Sequence, residues 1–257
     1  MPAVAALLES RDAAQALRRT LPRGTWSLVR CHRAAGLRKA LGSRLVDAIV
    51  LSPHGVSDGD VAQLRDDFPG VPALVFGPFK PDDGELLVTC REARLAGALV
   101  EGVDNAVAGE LVVRLSAAEE RRRALTEAPR MLRLSEPLQR GVWAWLLERV
   151  DQPVRTGALA QRFKVSREHL SREFGAGGAP NLKRVIDLTR IACAASLLRN
   201  PGYDAATAAR LLHFASSSHL SSTARRIASV PTAGLAALGP RGVLAAFARG
   251  NTRSRLR

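Results

Sequence analysis

The sequence predicts an α/β domain, a parallel sheet covered by helices on both faces, followed by an all-helical domain. Three observations carry this. Over residues 1–115, short continuous apolar runs alternate with amphipathic segments, the pattern of strands buried on both faces between crossover helices. After Leu115 the strand-like runs stop and a helical period takes over. The charge divides at the same place: residues 1–115 carry 14 Lys+Arg and 14 Asp+Glu, whereas residues 116–257 carry 24 and 10, so the formal net charge of +14 lies wholly in the second part.

Taken in order, AVAALLE reads as a strand and DAAQALRRTL as a helix. TWSLVRC is a strand, AAGLRKALGSRL a helix and VDAIVLS the central strand. DGDVAQLRDDF is a helix, VPALVFG a strand, DDGELLVTCREA a helix, LAGALVEG the last strand and NAVAGELVVRL the closing helix. Residues 116–135, rich in charge and Ala, with Pro129 inside and Pro137 just beyond, read as a helical linker; the run Arg121-Arg122-Arg123 is open to phosphate contact, with a solvated helix face paired to Glu119 and Glu120 as the favoured account. Residues 136–238 read as helices throughout, and residues 239–257 as a basic, flexible tail.

A charge confined to one part of the chain points to a polyanionic partner, because a basic face that neutralises phosphates releases their counterions. Of the 38 basic residues 34 are Arg; coding bias explains Arg over Lys but not the asymmetry. Cys31, Cys90 and Cys193 have no paired spacing, so neither a disulfide framework nor a metal site is expected. The N-terminus has no basic leader before its apolar stretch, and no run of about 18 uncharged apolar residues occurs, so a soluble cytoplasmic protein without a membrane span is expected.

Two candidate binding units lie in the second part. In the first, TGALAQRF, KVS and REHLSREF form two short helices across a tight turn; Leu170 and Phe174, four apart, pack inward and leave Arg167, Glu168, His169, Ser171 and Arg172 facing out. The layout recurs about fifty residues later as DAATAARLLHF, ASS and SHLSSTARRIAS, with Ser217, Ser218, His219, Ser221 and Ser222 outward and Arg225 and Arg226 placed to hold phosphate. The segment between them, 181–199, reads as one helix of about 28 Å at 1.5 Å per residue, against roughly 34 Å for a turn of duplex. Arg172 is expected to contribute most to base reading.

The alternation in residues 1–115 resembles the receiver domain of bacterial response regulators, a flavodoxin-like doubly wound fold. The resemblance implies an acidic pair after the first strand, an Asp acceptor ending the third, and a Thr/Ser and a Lys after the fourth and fifth. Here those positions hold Glu9 and Ser10, Ser52, Gly77, and no Lys in LAGALVEGVDN. One carboxylate among neutral groups would hold Mg²⁺ weakly, and Ser52 has no evident base to activate it. The expectation is a pseudo-receiver that works without phosphorylation. Lys80-Pro81 comes one element early and reads as a turn.

The second part resembles the DNA-binding domain of the AraC/XylS family of transcription regulators, with two helix-turn-helix units. The matching residues are Leu159-Ala160, Val165-Ser166, Leu170-Ser171-Arg172 with Phe174, and Arg190-Ile191 with Ala194, Leu197 and Leu198. The second unit departs from the pattern: His213 stands for the Gly before Phe214, Ala224 for a core Phe, and Ser229 for the Gly before the final turn. The resemblance implies a bacterial regulator, not an enzyme, with no cofactor. Its expected partners are double-stranded DNA, RNA polymerase and a second copy of the chain through the N-terminal domain.

Rival readings of individual residues are weaker. RCHR around Cys31 resembles the PCHR site of alkylguanine alkyltransferases but lacks the Pro and the helical domain, so a half-buried Cys is expected. His169 and His219 have no carboxylate or Cys in ligand spacing. Cys193 falls on an apolar helix face, and of Trp143 and Trp145 one is expected to pack and the other to be partly exposed. An interaction module with a decayed second unit and only non-specific DNA binding is the alternative function.

Overall fold

The computed structural model describes residues 1–253. The chain divides into two units: residues 1–120 with Asn200–Tyr203, and residues 121–199 with the described residues from Asp204 onward.

In the first unit every predicted element is present. Strands β1 (Ala3–Leu7), β2 (Ser27–Arg30), β3 (Ala48–Leu51), β4 (Ala73–Gly77) and β5 (Gly97–Val100) form one sheet in the order β2-β1-β3-β4-β5 with all pairings parallel. That order is the flavodoxin-like one. β1, β3 and β4 are buried along their whole length, which is why they read as unbroken apolar runs. Helices α1 (Arg11–Thr20), α2 (Ala34–Ser43), α3 (Asp58–Asp67), α4 (Gly84–Glu92) and α5 (Ala108–Leu115) make the crossovers. Ser10 and Ser57 start α1 and α3, each hydroxyl accepting a backbone N–H three residues on.

One face of the sheet closes through α1 and α5, whose Ala13, Ala16, Leu17 and Val112 pack with Val4, Val50, Leu74 and Phe76. The contact is close enough to fix a residue type. The Gly109 N–H donates to Thr20 Oγ1 at 2.8 Å, and a Cβ at Gly109 would collide with the backbone of Thr20 and Leu21. By contrast α4 buries none of its residues and leaves Leu87 and Val88 exposed. Lys80 and Asp83 close the turn before it: the Lys80 N–H donates to Asp83 Oδ2 at 2.7 Å.

In the second unit, α6 (Ala117–Ala124), which begins in the first unit, and α7 (Ala128–Met131) occupy the linker region. Helices α8 (Pro137–Glu148), α9 (Thr156–Arg162), α10 (Arg167–Glu173), α11 (Leu182–Leu197), α12 (Ala205–Leu211), α13 (Ser217–Ala228) and α14 (Thr232–Arg253) follow. Trp143 is buried in α8, while Trp145 is half-buried beneath Arg149, 5.0 Å from its ring. No single helix among the described residues is long and apolar enough to cross a membrane.

Two expectations are corrected here. α11 runs over Leu182–Leu197, 16 residues, so its length is about 24 Å rather than 28 Å. The stretch expected as a flexible tail from residue 239 is helical through Arg253: Gly239 kinks α14 at φ 60°, and beyond it Val243, Leu244 and Phe247 are buried, with α14 packed on α11 and α13. Apolar burial fixes the helix despite its Arg-rich composition. Residues 254–257 of that tail lie outside the described residues.

Candidate nucleic-acid interface

The helical pairs α9–α10 and α12–α13 are joined by related turns, the second longer by one residue. In the first, Lys164 takes the left-handed conformation at φ 55° and the Val165 N–H donates back to the Ala160 carbonyl at 3.0 Å. Ser166 then starts α10, its Oγ accepting the His169 N–H at 3.0 Å. In the second, His213 has φ 56°, the Phe214 N–H donates to the Ala209 carbonyl at 2.8 Å, and Ser216 Oγ accepts the His219 N–H at 3.0 Å. A residue in the left-handed region costs about 1 kcal/mol when it carries a Cβ. His213 and Ser229 (φ 60°), the two substitutions for expected glycines, both sit there. The backbone shape is thus kept where the residue type has changed.

The outward faces are as expected. Arg167, Glu168, His169, Ser171 and Arg172 are exposed while Leu170 and Phe174 are buried. The pair of helices leaves Arg172 with no hydrogen bond or ion pair among the described residues. Arg167 instead lies back over α9: a Cβ at Gly157 would stand 2.9 Å from its Nη2, so the glycine makes room for the guanidinium. Glu168 has its carboxyl held below the ordinary range by its own backbone N–H, then by the Ser166 hydroxyl and the nearby Arg167 and Arg172, so the face carries a fixed negative group between two cations.

On α13, Ser217, Ser218, His219, Ser222, Arg225 and Arg226 are exposed and Ser221 half-buried. Part of this face is occupied locally. The His219 ring stands edge-on to Phe214 with centroids 5.6 Å apart, and Ser222 Oγ donates to the His219 carbonyl at 3.0 Å. Arg226, expected as a phosphate holder, instead pairs with the buried Asp187 of α11, Nη2 to Oδ2 2.7 Å. A guanidinium tied to a carboxylate is the weaker phosphate ligand, which leaves Arg225 as the unpaired cation of the two among the described residues.

Asp187 was not singled out in the sequence, yet it organises the second pair. Besides Arg226 it faces Arg190 Nη1 at 3.9 Å, an electrostatic contact rather than a hydrogen bond. Arg190 in turn donates through Nε and Nη2 to the Leu212 carbonyl, at 3.0 and 2.7 Å, and stacks over Phe214 at 3.8 Å. Burial pulls its pKa down and the Asp187 charge opposes that pull. Arg190, the arginine of the family-like motif, is therefore a clamp that holds the α12–α13 turn on the connecting helix. His213 adds a second tie, its Nε2 2.7 Å from the Asp151 carbonyl in the loop before α9.

The first pair is braced from the other side. Gln139, buried in α8, donates through Nε2 to the Glu173 carbonyl at 2.8 Å, while its Oε1 accepts the Glu136 N–H. Between α10 and the start of α11 a cleft of about 350 Å³ is lined by Ser171, Lys183, Arg184 and Arg226. Lys183 is a cation the sequence reading passed over, because it lies on the connecting helix and not on either outward face.

At the carboxyl ends of the strands in the first unit, Ser52 follows β3 and is buried, its Oγ accepting the Glu9 N–H at 2.8 Å. Ser10 Oγ donates to Glu101 Oε1 at 2.7 Å. Glu101 follows β5, so a carboxylate stands where the receiver resemblance would place a lysine. Cys31 is buried too, and burial raises its thiol pKa, the opposite of what an alkyl-accepting thiolate needs.

No family model and no curated protein matches the chain. Among solved structures, full-length FixJ from B. japonicum is similar over 87% of this chain and 96% of its own, at 13% identity and a TM-score of 0.37.

Proposed function

We propose that the chain is a transcription regulator that binds double-stranded DNA sequence-specifically through two helix-turn-helix units, α9–α10 and α12–α13, as the AraC/XylS resemblance implies. The observation that carries this reading is a helix ended by a left-handed residue and a back-bonded apolar residue and followed by a serine-capped helix, at Lys164-Val165-Ser166 and again, with Ala215 before the cap, at His213-Phe214-Ser216. Each turn aims a polar helix face outward, and one helix of about 24 Å joins the two. Reading successive major-groove segments would require α10 and α13 to present their outward faces roughly one duplex turn, ~34 Å, apart.

In such a complex Arg172 would fork onto guanine O6 and N7, and Glu168 would accept from a cytosine amino group. Ser217, Ser218, His219, Ser221 and Ser222 offer short donors and acceptors, which discriminate bases less strongly. Arg225 and Lys183 would neutralise phosphates and make binding salt-dependent. The first unit would act without phosphorylation: the Ser52 hydroxyl is engaged by backbone, and Glu101 adds negative charge where a transferred phosphoryl group would need a cation. Pairing of two copies through this unit, contact with RNA polymerase and a bacterial cytoplasmic setting belong to the same reading.

A second reading, an interaction module with only non-specific DNA binding, draws on one observation: α13 presents four serines and a histidine turned toward Phe214. Selection from a randomised duplex library separates the two. The regulator reading expects a two-part motif; a recovered pool with no sequence bias contradicts it.

A further inference from the structure

Residues 1–115 carry no net charge, yet their cations are not spread evenly. Between Asp12 and Asp47 the chain has eight Lys and Arg residues and no carboxylate. Of these, Arg38 is taken by Asp67 at 2.7 Å. Four others, Arg30, Arg33, Lys39 and Arg44, line a single concavity of about 410 Å³ between the end of β2 and α2, together with His32. All five side chains are exposed, none has an ion pair or hydrogen bond among the described residues, and no acidic residue lines the concavity. Unpaired like charges converging on one hollow repel one another, an arrangement that an anion relieves.

We propose that this concavity is a binding site for a small phosphorylated organic molecule. Its charge calls for a di- or polyanion, and the guanidinium groups of Arg30, Arg33 and Arg44 match the geometry of phosphate oxygens. The volume lies within the ~300–1,000 Å³ usual for small-molecule sites and exceeds what a bare phosphate would fill. Val29 and Ala40 supply an apolar wall for the organic part. The α2 end adds to this field without defining it: Arg33 at the N-cap makes no side-chain bond, and no acidic residue stands in the first turn. Such a ligand would give the first unit an effector in place of phosphorylation.

The test uses the full chain and isothermal titration with inorganic pyrophosphate, glucose 6-phosphate and, as the uncharged control, glucose. Saturable binding of pyrophosphate and of glucose 6-phosphate, one per chain, is expected, with glucose silent. The double variant Arg33→Ser/Arg44→Ser should weaken it by roughly tenfold or more for each guanidinium lost with an unchanged thermal midpoint, since both side chains are exposed and unpaired. Arg172→Ser on α10 should leave it unchanged. No pyrophosphate binding at concentrations on the order of 10 mM, equal binding by the double variant, or loss of binding in Arg172→Ser would overturn the proposal. So would weakened duplex binding by the double variant, which would make the concavity part of a nucleic-acid surface. Because the DNA-reading residues serve here only as a control, the site can fail while the DNA-binding reading stands, and the reverse.

Discussion

Replacing Asp187 by Ala removes the group on which the α12–α13 pair is hung. The carboxylate is 6% exposed and accepts a 2.7 Å charge-assisted bond from Arg226. Such a bond contributes about 1.5–3 kcal/mol when both partners are buried, but the Arg226 side chain is 46% exposed, so solvent screening cuts that pair to about 1 kcal/mol. Arg190, with 15% of its side chain exposed, loses its nearest countercharge while keeping the Leu212 carbonyl and the Phe214 ring. Leaving a buried cation under-compensated adds about 1 kcal/mol more. The sum, about 2 kcal/mol, should lower the melting midpoint of the second unit by roughly 6–8 °C. Urea denaturation of Asp187→Ala, Arg226→Ala and the double variant measures it: the two single losses should fail to add, with a coupling of about 1 kcal/mol. A loss under about 0.5 kcal/mol in Asp187→Ala, or strict additivity, would refute the hub.

Other outcomes follow from the same geometry. Arg172→Ala should relax base preference at one position, at a cost of about 1–3 kcal/mol toward the preferred duplex, whereas Arg225→Ala should weaken all duplexes alike and reduce the salt slope by about one; competition binding at several salt concentrations distinguishes them. Gly109→Ala should destabilise the first unit by about 1–3 kcal/mol or more, because the added methyl meets Thr20–Leu21 backbone and not a movable side chain; denaturant unfolding reads it. The Asp204 carboxyl caps α12, and the Thr207 N–H holds its pKa below the ordinary value. Its contribution is therefore complete above the ordinary Asp range and is lost as pH falls through the lowered value, so Asp204→Asn should flatten the acid limb of the stability profile. Incubation with acetyl phosphate and Mg²⁺ should leave the intact mass unchanged; an added phosphate stable in acid and lost in base would identify an acyl phosphate.

The first unit was legible almost element by element because β1, β3 and β4 are buried on both faces and α1 and α5 are amphipathic, so periodicity separates strand from helix there. The inward positions Leu170 and Phe174 and the outward polar faces were equally readable, since each depends on neighbours close in sequence. What escaped depends on distant partners. Arg226 looks like any exposed cation until Asp187, 39 residues away, is seen to hold it. Arg190 looks like a motif residue until the Leu212 carbonyl and the Phe214 ring enclose it. The last helix was hidden by Gly239, Pro240 and flanking arginines, although Val243, Leu244 and Phe247 already carried the spacing of a buried stripe. His213 and Ser229 gave the appearance of a decayed unit, because sequence shows that glycine is gone but not that the left-handed turn remains.

Hydroxyl-radical footprinting of the full chain on its selected duplex tests the central claim most directly. Two readers joined by α11 should protect two stretches centred about ten base pairs apart on one face of the helix, and Arg172→Ala should thin the protection at the first stretch only. A single protected stretch, or protection spread evenly along the duplex, would contradict the account.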